Sequence, residues 1–564
     1  MVNSFWQGNG APTNNRSAGW AQMTGWDRVR RYATVALSSL AIANSSLQAW
    51  AQDDVPAPIT RPIIASEGLD PREVDFDRSQ RGIQLVEFEA PPPAPTEFTL
   101  EQRLKQLEEQ FENQKSESEL LRSRLAEISS AKESKPDPKS FKGGWKNQLN
   151  FESADKNFTA HFGGRTQFDT VWLQDSAAFG VNNGAGDADA VDFRRARFRM
   201  EGTMYKTIEY IYEYDFVNSV NDNVGLQPAS SANVINVSAP TDLFWTFREI
   251  PVVGNVRVGN QKEPIGLEHH TSSRYLDFME RSFNQDAYTG PFNNGFTPGV
   301  SIFNHFGEDD RGLWHFGVFK NIVNVFTYGV GDGGYAVDGR LTYLLWNECE
   351  GRQLLHVGAS YSHRDPINDL MRIRSRASLR NGPGALNPVM ADSGNFLADS
   401  QDLGGAEMSL VLGSFQIQSE YIVSSASDAR NLANTVNYGA YTTNGYYAMA
   451  SYFLTGEHRE YEKKNGAFGR VIPHRNSRIF PKNCDEQGFG AWQVLARYSS
   501  LNLNDGALRG GQIWDCTLGI NWFLNPNMKV QANYVYTDRN SLGSPTSPGA
   551  GIIHGFGMRL AHDF

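Results

Sequence analysis

From about residue 147 to the C-terminus, apolar and polar residues alternate with a period of two, in segments separated by turn chemistry. In Phe158–Gln174 one face carries Phe158, Ala160, Phe162, Gly164, Phe168 and Trp172, and the other carries His161, Arg165, Gln167 and Asp169. Trp514–Trp522 sets Trp514, Cys516, Leu518, Ile520 and Trp522 against Asp515, Thr517, Gly519 and Asn521. About sixteen such strands are predicted, near 158–173, 192–204, 207–217, 242–249, 255–262, 297–305, 312–320, 334–346, 352–363, 404–412, 415–424, 442–454, 489–500, 511–523, 527–538 and 551–564. A further strand at 147–154 would pair through Asp155-Lys156-Asn157.

Connections alternate short (Tyr205-Lys206, Gly413-Ser414) and long (218–241, 263–296, 364–403). A soluble sandwich would turn polar faces to water, whereas here the repeated faces are Tyr, Phe, Trp and Leu. The pattern therefore predicts an all-β fold, an antiparallel transmembrane barrel over residues 140–564, and the terminal Phe564 fits a closing strand. Composition agrees: aromatics reach 12% in a chain of mean hydropathy −0.47. No run of about 18 apolar residues argues for a spanning helix, so insertion as a barrel is the remaining route.

Upstream the texture differs. Asp27–Arg31 is basic, Tyr32–Ala43 is a short apolar run and Ala49-Trp50-Ala51 is a cleavage pattern, which makes 1–51 a signal peptide, with Met23 an alternative start. Residues 52–98, with Ala90–Pro95 reading APPPAP, form a flexible linker. Over 99–134 a heptad seam runs through Leu100, Leu104, Leu107, Phe111, Gln114, Ser118, Leu121, Leu125 and Ile128, predicting a coiled-coil helix. Its partner is another copy of the chain, a periplasmic or cell-wall component, or the barrel's own end. The three cysteines lack metal-ligand spacing, and a Cys349–Cys484 disulfide is one pairing that strand parity allows.

The net charge is −11, yet Phe193–Gly202, FRRARFRMEG, holds Arg194, Arg195, Arg197 and Arg199. On a strand, Ala196, Phe198 and Met200 share one face, and Arg195, Arg197, Arg199 and Glu201 the other. An arginine facing lipid at the bilayer midplane costs roughly 2–4 kcal/mol, so the row faces the lumen. That placement disfavours nucleic acid as a partner. The next strand turns Glu209, Glu213 and Asp215 inward, so the arginines are either cross-strand ion pairs or an anion ladder.

At this point the chain resembles the phosphate-selective porin O and P family. The resemblance rests on FESADKNFTAHFGGRTQFD, FRRARFRMEGTMYKTIEYIYEYDF, VRVGNQKEPIGLE, YFLTGEHREYEKKNGAFGRV, GAWQVLARYSSLNLNDG and the terminal FGMRLAHDF. It implies a trimeric, sixteen-stranded outer-membrane porin, seated in lipid, whose inward-folded loops narrow a pore for small inorganic anions, phosphate one candidate. Lys262-Glu263-Pro264 would open the inward loop, making Lys262, Arg274 and Arg281 candidate anion contacts beside Arg165, Arg195, Arg197 and Arg199, with Glu263 and Glu280 able to neutralise them.

An independent signal is Lys463–Lys482, KKNGAFGRVIPHRNSRIFPK, in which Lys463, Lys464, Arg470, Arg475 and Arg478 stand without a single acid. Strand parity puts this long connection at the short-turn end, and unpaired positive charge at a pore mouth would concentrate anions. From residue 140 onwards, however, 36 Lys/Arg meet 43 Asp/Glu, so bulk charge does not announce selectivity. No catalytic constellation, metal site or cofactor motif is predicted; His269-His270 lacks carboxylate spacing, and Gly329–Gly334 precedes no helix. The remaining readings are a general non-selective porin and a barrel that anchors an envelope-tethering coiled coil.

Overall fold

The computed structural model describes residues 99–132, 140–145, 148–175, 188–217, 238–290, 295–321, 332–380, 389–479, 487–539 and 550–564. The signal peptide, the linker, Lys482 and the proposed Cys484 partner of Cys349 lie outside them, as does the first half of the glycine run, 329–331. The chain forms two units divided after Lys135.

In the N-terminal unit α1 (Leu100–Lys132) is a continuous helix. Leu104, Leu107, Phe111, Leu121 and Leu125 of its seam are all exposed.

The second unit is a closed antiparallel barrel. Its sixteen strands are β1 (Phe158–Asp175), β2 (Ala188–Met204), β3 (Ile208–Asp215), β4 (Ala239–Ile250), β5 (Gly254–Lys262), β6 (Phe296–Phe306), β7 (Gly312–Lys320) and β8 (Tyr335–Glu348), then β9 (Gln353–Arg364), β10 (Ser400–Leu412), β11 (Phe415–Arg430), β12 (Asn437–Phe453), β13 (Ala491–Asp505), β14 (Leu508–Asn525), β15 (Met528–Arg539) and β16 (Gly551–Asp563). Each pairs with its neighbour in sequence, and β16 returns to β1 from Ile553↔Asp175 to Asp563↔Arg165. Every predicted segment is one of these strands. Closure pairs the sixteen strands all round and encloses a lumen, and that lumen is why the pattern can be so polar on one side.

Alternation works as expected. On β14, Asp515, Thr517 and Asn521 are buried inward while Leu518 and Ile520 are exposed outward. The interior is largely polar, and among its most completely buried side chains are Arg539 and Arg559.

The segment at 147–154 does pair, but as an appendage. A hairpin of Phe141–Trp145 and Leu149–Ser153 adds to the lower part of β1, from Leu149↔Phe162 to Glu152↔Thr159. It takes over where β16 runs out, because Phe564 exchanges backbone bonds with Gly164 (2.8 and 3.1 Å). The Gly163-Gly164 pair makes room for this terminal residue, since a Cβ on Gly164 would stand 2.9 Å from the Phe564 ring.

The described parts of three connections fold into the lumen: 263–290 of the 263–295 loop, 365–380 and 389–399 of the 365–399 connection and, from the short-turn end, 454–479 and 487–490 of the 454–490 connection. Met279, Phe283, Tyr288, Leu379 and Met390 from the first two pack against Val171, Tyr441, Leu503 and Val535 of the wall. The inward 365–399 connection was not distinguishable by sequence from an external loop. This apolar packing fills one side of the barrel and leaves the polar space beside β1–β5.

Candidate functional site

The arginine row begins with an irregularity in register. Between β1 and β2 the pairing shifts so that Gln167 faces Arg195 while Phe168 faces Phe193, and Arg194 is the extra residue of a bulge. Arg194 and Arg195 therefore both point inward, and Phe193 and Phe198 stay exposed outside. Strict alternation had left Arg194 out of the lumen.

The row is answered mainly by two carboxylates. Glu213, fully buried on β3, meets Arg165 at 2.8 Å, Arg197 at 3.1 Å, and Arg199 and Arg274 at 3.6 Å. Arg197 also holds Asp215 at 2.7 Å, and Arg199 holds Glu201 at 2.6 Å and Asp242 at 3.2 Å. Glu280, from the inward loop, accepts a bidentate fork from Arg194. Cross-strand pairing, left open by sequence, is thus extensive, and it also fastens the loop. Arg165 donates to the Ser272 hydroxyl and Gln167 to the Ser273 carbonyl.

The loop has its own anchor in α2 (Leu267–His270), whose first amides, Leu267 and Glu268, donate to Glu420 on β11. At its other end, Lys262 Nζ donates to the His269 carbonyl (2.6 Å), and Arg281 donates to the carbonyls of Glu268 and Thr271. These two cations satisfy helix-end carbonyls, which carry partial charge, rather than a full carboxylate. In this turn His269 is buried and His270 half-buried, and desolvation holds both imidazoles well below their usual pKa.

Between loop and wall lies a cavity of about 360 Å³. Eleven Lys and Arg side chains line it against six carboxylates, so its lining is net positive although the chain is acidic. Lys262, Arg281 and Arg257 have no ion pair with a carboxylate among the described residues. Arg257 was missed by sequence reading because it stands alone in VRVGN. It lies between the rings of Phe244 (4.3 Å) and Phe303 (4.7 Å) and donates to Thr246.

The basic connection at the short-turn end differs from expectation. Lys463 pairs with Asp309 at 2.7 Å, Lys464 with Glu209 at 2.8 Å, and Arg470 with Asp563. Lys463 holds the Asp309 carboxyl below its usual range through hydrogen bond and charge. The segment is acid-free in sequence but not in space, because its partners come from other turns and strands. Of these residues Lys464 lines the cavity, whereas Arg475 and Arg478 are exposed, with Arg478 stacked on Phe489 (4.4 Å).

Comparison with known proteins follows the barrel. Residues 163–564 match the family model of phosphate-selective porin O and P. The chain is 27% identical over 437 residues to Porin O of Pseudomonas aeruginosa, spanning 72% of this chain and 90% of that protein. An uncharacterized protein of Caulobacter vibrioides is 26% identical over 403 residues, 70% of this chain and 71% of its own. Among solved structures, an anion-selective porin from Comamonas acidovorans gives a TM-score of 0.42 at 12% identity, over 72% of this chain and 100% of its own.

Proposed function

This chain belongs to the phosphate-selective porin O and P family, and on that premise we propose that the cavity beside the 263–295 loop is the constriction through which it passes small anions. The protein is an outer-membrane porin, a channel working by passive diffusion. The observation that carries the anion reading is the set Arg257, Lys262 and Arg281, whose charges face the cavity without a carboxylate partner. Arg165, Arg195, Arg197, Arg199 and Arg274 set a positive background that Glu213 and Glu280 partly cancel. Lys464 extends it towards the periplasmic mouth, with Lys463, Arg470, Arg475 and Arg478 around that rim. An anion entering would exchange part of its hydration shell for these donors.

In planar bilayers under a potassium chloride gradient, the reversal potential is expected to favour chloride. Lys262→Gln combined with Arg257→Gln is expected to lower the anion-to-cation permeability ratio. At about 1 kcal/mol per unit charge near 4 Å in water, the loss is roughly fivefold or more. A cation-favouring reversal potential in the native protein would overturn the reading. Absence of conductance would favour an envelope anchor.

The N-terminal segments complete the proposal: residues 1–51 direct export, 52–98 link, and α1 associates with α1 of other copies in a homotrimer. The row of exposed Leu and Phe along α1 supports that association. Deleting 100–128 is expected to lower the temperature at which trimers dissociate on semi-native gels; unchanged trimers would make the helix a tether to a periplasmic partner.

A further inference from the structure

Glu280 stands in the lumen with four guanidinium groups around one carboxylate. Arg194 forks onto both oxygens (2.9 and 3.1 Å), Arg559 reaches Oε1 at 3.1 Å, and Arg195 and Arg380 approach to 3.7 and 4.0 Å. Arg559 has Asp169 as a second partner and Arg380 has Asp286. For Arg194 and Arg195, Glu280 is the carboxylate within ion-pair distance among the described residues. Glu280, Arg194, Arg195 and Arg380 all line the cavity, so the cluster borders the proposed permeation space.

Forked guanidinium donors bind carboxylate and tetrahedral oxyanions by the same geometry. We infer that Glu280 is a resident counter-ion occupying a multivalent-oxyanion site formed by Arg194, Arg195, Arg380 and Arg559, and that it shortens the stay of anions passing through. Conduction needs sites that attract but release, and an arginine nest left open in a dehydrated lumen would trap phosphate rather than pass it. The inference rests on the anion-porin reading.

Loop position does not depend on this carboxylate alone. Met279 N donates to Asn533 Oδ1 (2.8 Å), the Glu280 carbonyl accepts from Arg497 (3.0 Å), and Ser282 N donates to Glu268 (3.0 Å). Neutralising Glu280 is therefore expected to change charge more than conformation.

The test titrates the chloride current of the purified full-length porin with inorganic phosphate. Glu280→Gln is expected to move the midpoint of phosphate block to a concentration at least about tenfold lower than native, and to raise the anion-to-cation permeability ratio. Glu280→Asp, which keeps the charge but withdraws it by one methylene, is expected to shift the midpoint the same way by a smaller factor. A purely structural role would loosen the loop, raise conductance and lower selectivity. That outcome, or unchanged block in both variants, overturns the inference. The native reversal potential tests the anion reading separately: if chloride is favoured while block is unchanged, this inference alone fails.

Discussion

Glu213→Gln is expected to produce the largest loss of stability of any single substitution in the β1–β5 wall. The carboxylate is fully buried and serves Arg165, Arg197, Arg199 and Arg274 together, while Thr241 donates its hydroxyl at 2.8 Å. Glutamine keeps the volume and can still accept a hydrogen bond, but it leaves those guanidinium groups with too little negative charge. Breaking one partner from a buried ion network costs about 3–5 kcal/mol, because the remaining charges stay desolvated. The heat-induced gel shift of the folded barrel should fall by several degrees. Arg274, on the loop, should detach, giving noisier single-channel current. Adding Arg165→Gln, whose carboxylate partner within ion-pair distance among the described residues is Glu213, should recover part of the midpoint by removing one of the excess cations. An unshifted midpoint would mean that water already neutralises this network.

The two charge networks explain why the arginine row was ambiguous. Glu213 lies on the adjacent strand, two residues from Asp215, so its role as a counter-charge followed from alternation. Glu280 lies 86 residues from Arg194, on a loop whose path across the lumen no periodicity encodes. The Arg194 bulge was invisible for a related reason. One extra residue in a strand leaves composition and mean alternation intact yet changes which side chains point in.

The same contrast governs the basic connection. Counting acids within Lys463–Lys482 describes a local charge, but Asp309, Glu209 and Asp563 arrive from distant turns and strands. Strand existence was legible because bilayer and lumen impose opposite solvents on alternate residues, and that constraint acts locally. Lumenal partnerships are long-range and follow from closure. What the closed barrel adds is a subtraction of charge: among the described residues most cations lining the cavity are paired with carboxylates, and Arg257, Lys262 and Arg281 stand out because backbone carbonyls, a hydroxyl and aromatic rings hold them instead.

Arg459→Met is expected to uncouple the two segments that meet inside the barrel from opposite ends. Arg459, in the 454–490 connection, donates to Asp277 at 2.6 Å and to the Tyr275 carbonyl at 2.9 Å, both in the 263–295 loop. It also stacks on Phe468 at 4.6 Å, and both members of the ion pair are buried. Asp277 would keep only the neutral Gln493 donor at 3.0 Å, while the nearby Lys529 is committed to the Leu276 carbonyl. The penalty of about 3–5 kcal/mol for an orphaned buried charge exceeds what the methionine stem recovers by packing on Phe468. The cheaper response is for the connection to swing away and let water reach Asp277. Single-channel conductance should then rise and anion preference fall, with new protease cleavage between 454 and 490. Asp277→Asn in the same chain removes the orphaned charge and should restore native conductance in part. If Arg459→Met conducts like the native porin, the connection is held by its rim contacts at Asp309, Glu209 and Asp563, and the buried pair is dispensable.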